Sequence, residues 1–154
     1  MRTVDQCEHR MNQLIRTGFV VAQDASKHRV RVELRDTVTN QLISQFLPVL
    51  VPRASSDLHY DLPDIGDQVL CLFGGNGLEQ GYVVGSMYGK QKPPVGDADK
   101  VHRKFKDGST IEYDRENHKL TANINGDIDI HATGQINIKA DGEIIINGQN
   151  VRIN

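Results

Sequence analysis

A chain of 154 residues has room for one compact domain, or a small domain with an extension, and none for a large multi-domain enzyme. Only 38% of it is hydrophobic and 5% aromatic, with no tryptophan, so a lone copy carries less core-forming material than an ordinary domain of this length and association with other copies is expected. The 18 basic and 20 acidic residues leave a net charge of -2, and without a basic stripe to neutralise a phosphate backbone, generic nucleic-acid binding is disfavoured.

The opening stretch, MRTVDQCEHR, reads as neither signal nor transit peptide, and no apolar run reaches the roughly 18 residues of a membrane span. Synthesis and folding in the cytoplasm are expected. The two cysteines, Cys7 and Cys71, lie far apart and match no zinc or redox spacing. Residues 3–16 carry the one helical pattern. Thr3 and Gln6 make a capping box, Val4, Cys7, Met11 and Leu14 line one narrow seam, and Gly18 is a stop. That seam packs either on its own domain or on a partner.

From Gly18 to about residue 90 the pattern is of short strands between turn residues. Strands are predicted at 18–23, 29–34, 45–52, 68–73 and 81–88. Val30, Val32 and Leu34 alternate with Arg29, Arg31, Glu33 and Arg35, which predicts one packed wall and one wet one. The uninterrupted run Val69 to Phe73 predicts burial on both faces. Five strands without a long helix between them fit an OB-type barrel. Residues 91–104, with Pro93-Pro94 and mixed charges, read as a linker. Asp107-Gly108 then predicts a two-residue hairpin, and Asp114 to Asn117 the next turn.

Between Gly126 and Gly148 the sequence repeats every eight residues. The even positions read Gly126, Ile128, Ile130, Ala132, then Gly134, Ile136, Ile138, Ala140, then Gly142, Ile144, Ile146, Gly148. Of the odd positions only Ile145 is apolar, and the alternation begins upstream at Leu120, Ala122 and Ile124. Strict alternation means extended chain, since a helix would scatter these isoleucines around its circumference. A ribbon with one oily face cannot bury that face within itself. Three identical ribbons wrapped into a prism can bury it and also satisfy the backbone all the way round. The expected trimer core is Ile124, Ile128, Ile130, Ile136, Ile138, Ile144 and Ile146, with glycine at each prism corner. After Gly148 the register slips by one, and Val151 and Ile153 form the expected tip, narrow and without a cap of its own.

The fold class so predicted is all-β: a short N-terminal helix (1–17), an OB-fold barrel (18–90), a linker (91–104) and an intertwined triple-stranded β-helix spike (105–154). Several stretches, in this order, resemble the central spike proteins of contractile phage tails, the baseplate assembly protein V family with relatives in R-type pyocins and other injection systems. They are Gly18-Phe19-Val20-Val21 with Arg29-Val30-Arg31-Val32; Phe46 to Ala54; Leu62-Pro63-Asp64-Ile65-Gly66-Asp67; Gly81 to Tyr88; and Asp107 to Asp114 with His118. The resemblance implies a homotrimer whose barrels sit on tail-tube and baseplate hub proteins. Its needle would pierce the target outer membrane when the sheath contracts, and it would reside in a virion tail or a bacteriocin-like particle assembled in the host cytoplasm.

Relatives of this type often close the tip with an H-x-H pair that binds iron. This chain has no H-x-H, and His131 falls on the polar face, so no metal, no tip iron and no other cofactor are expected, and a separate tip-capping protein would cover Val151 and Ile153. No catalytic residues are assigned. A linker of this length cannot house the muramidase of larger relatives. Asp61 with Asp64, and Asp97 with Asp99, read as solvated turns. Ser55, Ser56, Asp57 and His59 are too crowded for a triad, and Gly74-Gly75-Asn76-Gly77 lacks the following helix and lysine of a phosphate loop. The alternative is an OB-fold module that binds nucleic acid or sugar and is trimerised by its β-tail; its base-stacking platforms would need exposed aromatics beside positive charge.

Overall fold

The computed structural model describes residues 14–34, 42–74 and 80–153. The chain divides into two compact units, Met1–Pro93 and Pro94–Asn154. All nine extended elements are strands: β1 (Ile15–Asp24), β2 (Arg29–Leu34), β3 (Leu42–Ile43), β4 (Leu47–Pro48), β5 (Gln68–Phe73) and β6 (Gly81–Met87) in the first unit, and β7 (Lys100–Lys104), β8 (Thr110–Asp114) and β9 (Lys119–Asn123) in the second. Apart from these, the one short helix among the described residues is a 3-10 turn at Ala25–Lys27.

In the first unit β1 is long enough to serve two neighbours. Its C-terminal part pairs antiparallel with β2, from Gly18 opposite Leu34 to Asp24 opposite Arg29, through a bulge between Val20 and Ala22. Its N-terminal part pairs with β5, from Ile15 opposite Leu72 to Phe19 opposite Gln68. β5 continues to β6, and β2 to β3 and β4. The barrel closes where Val49 meets Val83 in a parallel bridge and the Leu50 N–H donates to the Val83 carbonyl at 2.9 Å. A long shared first strand, a parallel contact between the residue after β4 and β6, and antiparallel pairing elsewhere form an OB-like connectivity.

Alternation places the core. Val20, Val30, Val32, Leu34, Leu47, Val49, Val69, Cys71, Phe73 and Val83 fill the barrel. The strand limits 29–34 and 68–73 match expectation, but three features differ. β1 begins at Ile15, so residues 15–17 are strand and not the end of a helix; Leu14 keeps helical backbone, and positions 1–13 of the expected N-terminal helix lie outside the described residues. Of the expected strand 45–52 only β4 and the bridge at Val49 are extended pairs, and a further short strand, β3, precedes it. Buried Ser44 lies between β3 and β4: its N–H donates to the Val32 carbonyl at 2.9 Å, and its Oγ accepts from the Val32 N–H at 3.0 Å and donates to the Gln45 carbonyl at 2.7 Å. A side-chain oxygen there stands in for a ladder partner. Finally, the apolar run in β5 is not buried on both faces: Val69, Cys71 and Phe73 point inward, whereas Leu72 is 40% exposed.

In the second unit β7, β8 and β9 form an antiparallel meander. β7 lies inside the stretch expected to be a linker; its partners, reaching from Lys100 opposite Asp114 to Lys104 opposite Thr110, make it a strand. The β7–β8 hairpin has a three-residue loop instead of the expected two. The Gly108 N–H donates to the Phe105 carbonyl at 3.1 Å, the Phe105 N–H to the Ser109 carbonyl at 2.8 Å, and Gly108 takes φ +88°, which glycine adopts without strain. Beyond Asn123 the described residues form no strand pair within the chain. The backbone bends at Asn125-Gly126, Thr133-Gly134, Asp141-Gly142 and Gln149, so bends recur with the eight-residue repeat and the first three fall on its glycines.

Candidate functional site: an unpartnered apolar ribbon

The polar groups singled out as possible catalysts have structural employment. Around the tip of the 50–60 loop, the Asp57 carboxylate pairs with Arg53 at 3.0 Å and not with His59, while the His59 N–H donates to the Arg53 carbonyl at 3.1 Å. Asp64 and Asp67 close a turn on each other: the Asp67 carboxylate accepts from the Asp64 N–H at 2.9 Å, and the Asp67 N–H donates to the Asp64 carbonyl at 3.0 Å. That turn is stitched to β1 by the Gly66 N–H on the Val20 carbonyl and the Val20 N–H on the Asp67 carbonyl. The motif Leu62 to Asp67 thus fastens a loop to the barrel. Asp97 and Asp99 share another turn, in which the Asp97 carboxylate accepts from the Asp99 N–H at 3.0 Å. The Gly74 N–H bonds the Gln80 carbonyl at 2.9 Å at the mouth of the β5–β6 connection, whose residues 75–79 lie outside the described chain.

The outer wall of β2 is where an OB barrel would receive a strand of nucleic acid or a sugar. There the Arg31 guanidinium lies over the Phe46 ring, 4.7 Å from its centroid, so the aromatic face a base would stack on is covered by the protein's own cation.

In the second unit, alternation along β7 and β8 gathers charge on one face of the meander. Lys100 Nζ lies 3.2 Å from Glu112 Oε1 and 3.9 Å from Asp114, and His102 Nδ1 is 2.7 Å from Glu112 Oε2. The hydrogen bonds from His102 and then Lys100 hold the Glu112 carboxyl below its usual range, and Glu112 in turn raises Lys100. Sequence reasoning missed this cluster because it read residues 100–104 as linker; the alternation of charges at 100, 102, 112 and 114 was the available signal.

A second cluster also escaped the sequence. The Asp107 carboxylate accepts from the Ser109 N–H and from Ser109 Oγ, both at 2.9 Å. Ser109 Oγ in turn accepts from the Asn125 N–H at 3.0 Å, while Asn125 Nδ2 donates to the Asp107 carbonyl at 2.7 Å. The hairpin therefore grips the residue that precedes Gly126 and fixes where the ribbon leaves the sheet.

The ribbon itself is laid open. Ile128, Ile130, Ile136, Ile138, Ile144 and Ile146 are all at least half exposed, Ile130 at 76% and Ile138 at 73%, and Ile124 alone of the expected core is partly covered. Val151 and Ile153 are exposed as well, as is His131. Exposed isoleucine at this density, on a backbone with no strand partner among the described residues, makes a contiguous apolar patch of the kind that marks interaction surfaces.

The fold so built is an OB-like barrel followed in sequence by a β-meander and a periodic apolar tail. Residues 16–88 match the family described as the type VI secretion system/phage-baseplate injector OB domain. The similarity extends further against the spike protein of Escherichia phage P2, 29% identical over 137 residues, which cover 88% of this chain and 63% of that protein. The chain thus spans a little under two thirds of that relative's length. Both findings are likenesses to baseplate injector and spike proteins, in agreement with the resemblance carried by the chain's motifs.

Proposed function

We propose that three copies of this chain form the central spike of a contractile tail baseplate. The barrels seat on tail-tube and hub proteins and nucleate hub assembly, and the three ribbons wind into a needle that pierces the target envelope when the sheath contracts. The observation that carries this reading is the eight-residue isoleucine face, exposed from Ile128 to Ile146 and without a strand partner among the described residues. Each isoleucine withdrawn from water contributes about 1.5–3 kcal/mol, and only other copies offer the same periodic face to withdraw it against. Three chains also give every ribbon a neighbour on both edges, which two do not.

The role is mechanical and non-enzymatic, requiring neither cofactor nor metal. Force transmission needs axial stiffness, which backbone hydrogen bonds between chains supply, and a charged exterior that does not stick to what it passes. Val151 and Ile153 are the surface for a tip-capping protein. The particle would be a virion tail or a bacteriocin-like relative, assembled in the host cytoplasm. Multi-angle light scattering tests the assembly directly: a mass of three chains that resists dilution is expected, and a monomer at micromolar concentration would overturn the reading.

A further inference from the structure

The barrel's outer walls differ in kind. On β2 the outward positions are Arg29, Arg31 and Glu33, the ordinary polar side of a strand whose other side is core. On β1 between Ile15 and Thr17, β5 between Leu70 and Leu72, and β6 between Tyr82 and Val84, the outward positions carry no charge. Register sets Ile15 opposite Leu72 and Leu72 opposite Tyr82 in one row, with Thr17 opposite Leu70 in the next. Ile15 is 61% exposed, Tyr82 53%, and Leu72 and Val84 40% each. An uncharged apolar wall on a barrel whose other wall is charged marks a surface that something covers.

What covers it is joined to it. Leu14 precedes Ile15, keeps helical backbone and is 37% exposed. It is the last member of the seam Val4, Cys7, Met11 and Leu14, while Asp5, His9 and Arg10 fall on the other side of the same helical pattern. Spacing matches seam to row. In a helix rising about 1.5 Å per residue, Met11 stands about 4.5 Å and Cys7 about 10.5 Å before Leu14, and neighbouring strands lie about 4.8 Å apart. A helix that crosses the strands from the start of β1 therefore sets Leu14 at Ile15, Met11 over Leu72 and Cys7 over Tyr82. We propose that this seam docks on the outer wall of its own barrel, across β1, β5 and β6, and covers the row Ile15, Leu72 and Tyr82. The choice between own domain and partner, open from the sequence, goes to the same chain, and it does not depend on how many copies the particle holds.

The chain carries its own probe, since Cys7 lies in the seam and the other cysteine, Cys71, is buried. Tyr82→Cys and, on the charged wall, Arg29→Cys are made separately in the full chain and oxidised with copper phenanthroline. A disulfide needs Cβ atoms about 3.5–4.5 Å apart. Tyr82→Cys is therefore expected to link to Cys7 within one chain, seen on a denaturing gel as a faster band that reduction or Cys7→Ser abolishes. Arg29→Cys should give at least about tenfold less of that band. A Tyr82→Cys link that joins two chains would overturn the proposal, because the seam would then cover another copy. Equal linking at both positions would overturn it as well, as would no link at either Tyr82→Cys or Leu72→Cys. Maleimide labelling reads the same contact without an added cysteine: Cys7 should react at least about tenfold faster in Tyr82→Asp than in the parent, with Cys71 still unlabelled. Equal Cys7 rates would mean that the wall is not where the seam rests.

Discussion

Gly18 shows how a single residue sets the barrel's closeness. A Cβ there would meet the Glu33 carbonyl oxygen and come within 2.5 Å of Val32 Cγ1, both on the neighbouring strand. Gly18→Ala is therefore expected to destabilise the first unit by roughly 1–3 kcal/mol, read as a lower urea midpoint; an unchanged midpoint would mean that β1 and β2 can part without loss. Cys71 makes a complementary case. Burial in the barrel pushes its thiol up to about 11, so at neutral pH almost no thiolate exists to react. Its alkylation should track global unfolding, rising with urea along the same curve as the loss of structure, and rapid labelling of the native protein at this position would contradict the assigned core.

At the scale of elements, the hairpin that carries Asp107 decides where the tail starts. The Asp107 carboxyl is held below its ordinary range, first by the backbone N–H of Ser109 and then by the Ser109 hydroxyl. A depressed folded pKa means that the contribution is present above the ordinary aspartate value and is lost as pH falls through that value to the folded one. The meander should thus loosen only in acid, and Asp107→Asn should weaken it at neutral pH while flattening its acid limb, both measurable by denaturation at several pH values. An acid limb as steep as in the parent would take Asp107 out of the clamp. The elements also show what patterning can and cannot say. Alternation at Arg29 to Leu34 predicted both the strand and its buried side, because one neighbouring strand and one core suffice to explain it. The uniform run Val69 to Phe73 suggested two buried faces, yet Leu72 lies on the outside of the barrel opposite Ile15 and Tyr82. Apolar composition alone does not say which apolar side faces the same chain's core and which faces outward.

For the molecule as a whole, the proposed trimer makes a sharp prediction about parity. Ile136→Asp would place three carboxylates in one dry layer, at roughly several kcal/mol each, and should abolish assembly in light scattering. Asn137→Asp, one position on, should leave the mass unchanged. Equal effects would mean that the ribbon faces had been assigned the wrong way round.

The eight-residue period, the buried side of β2 and the hairpin at Asp107-Gly108 were legible in the amino-acid order, because each depends on the alternation of a strand or the conformational freedom of a glycine a few residues away. The closure through Val49 and Val83, the Ser44 bonds between β3 and β4, and the Asp107, Ser109 and Asn125 clamp were decided only by the tertiary structure. Each joins groups whose meeting depends on how strands are bent and registered in space, and local pattern carries no record of that.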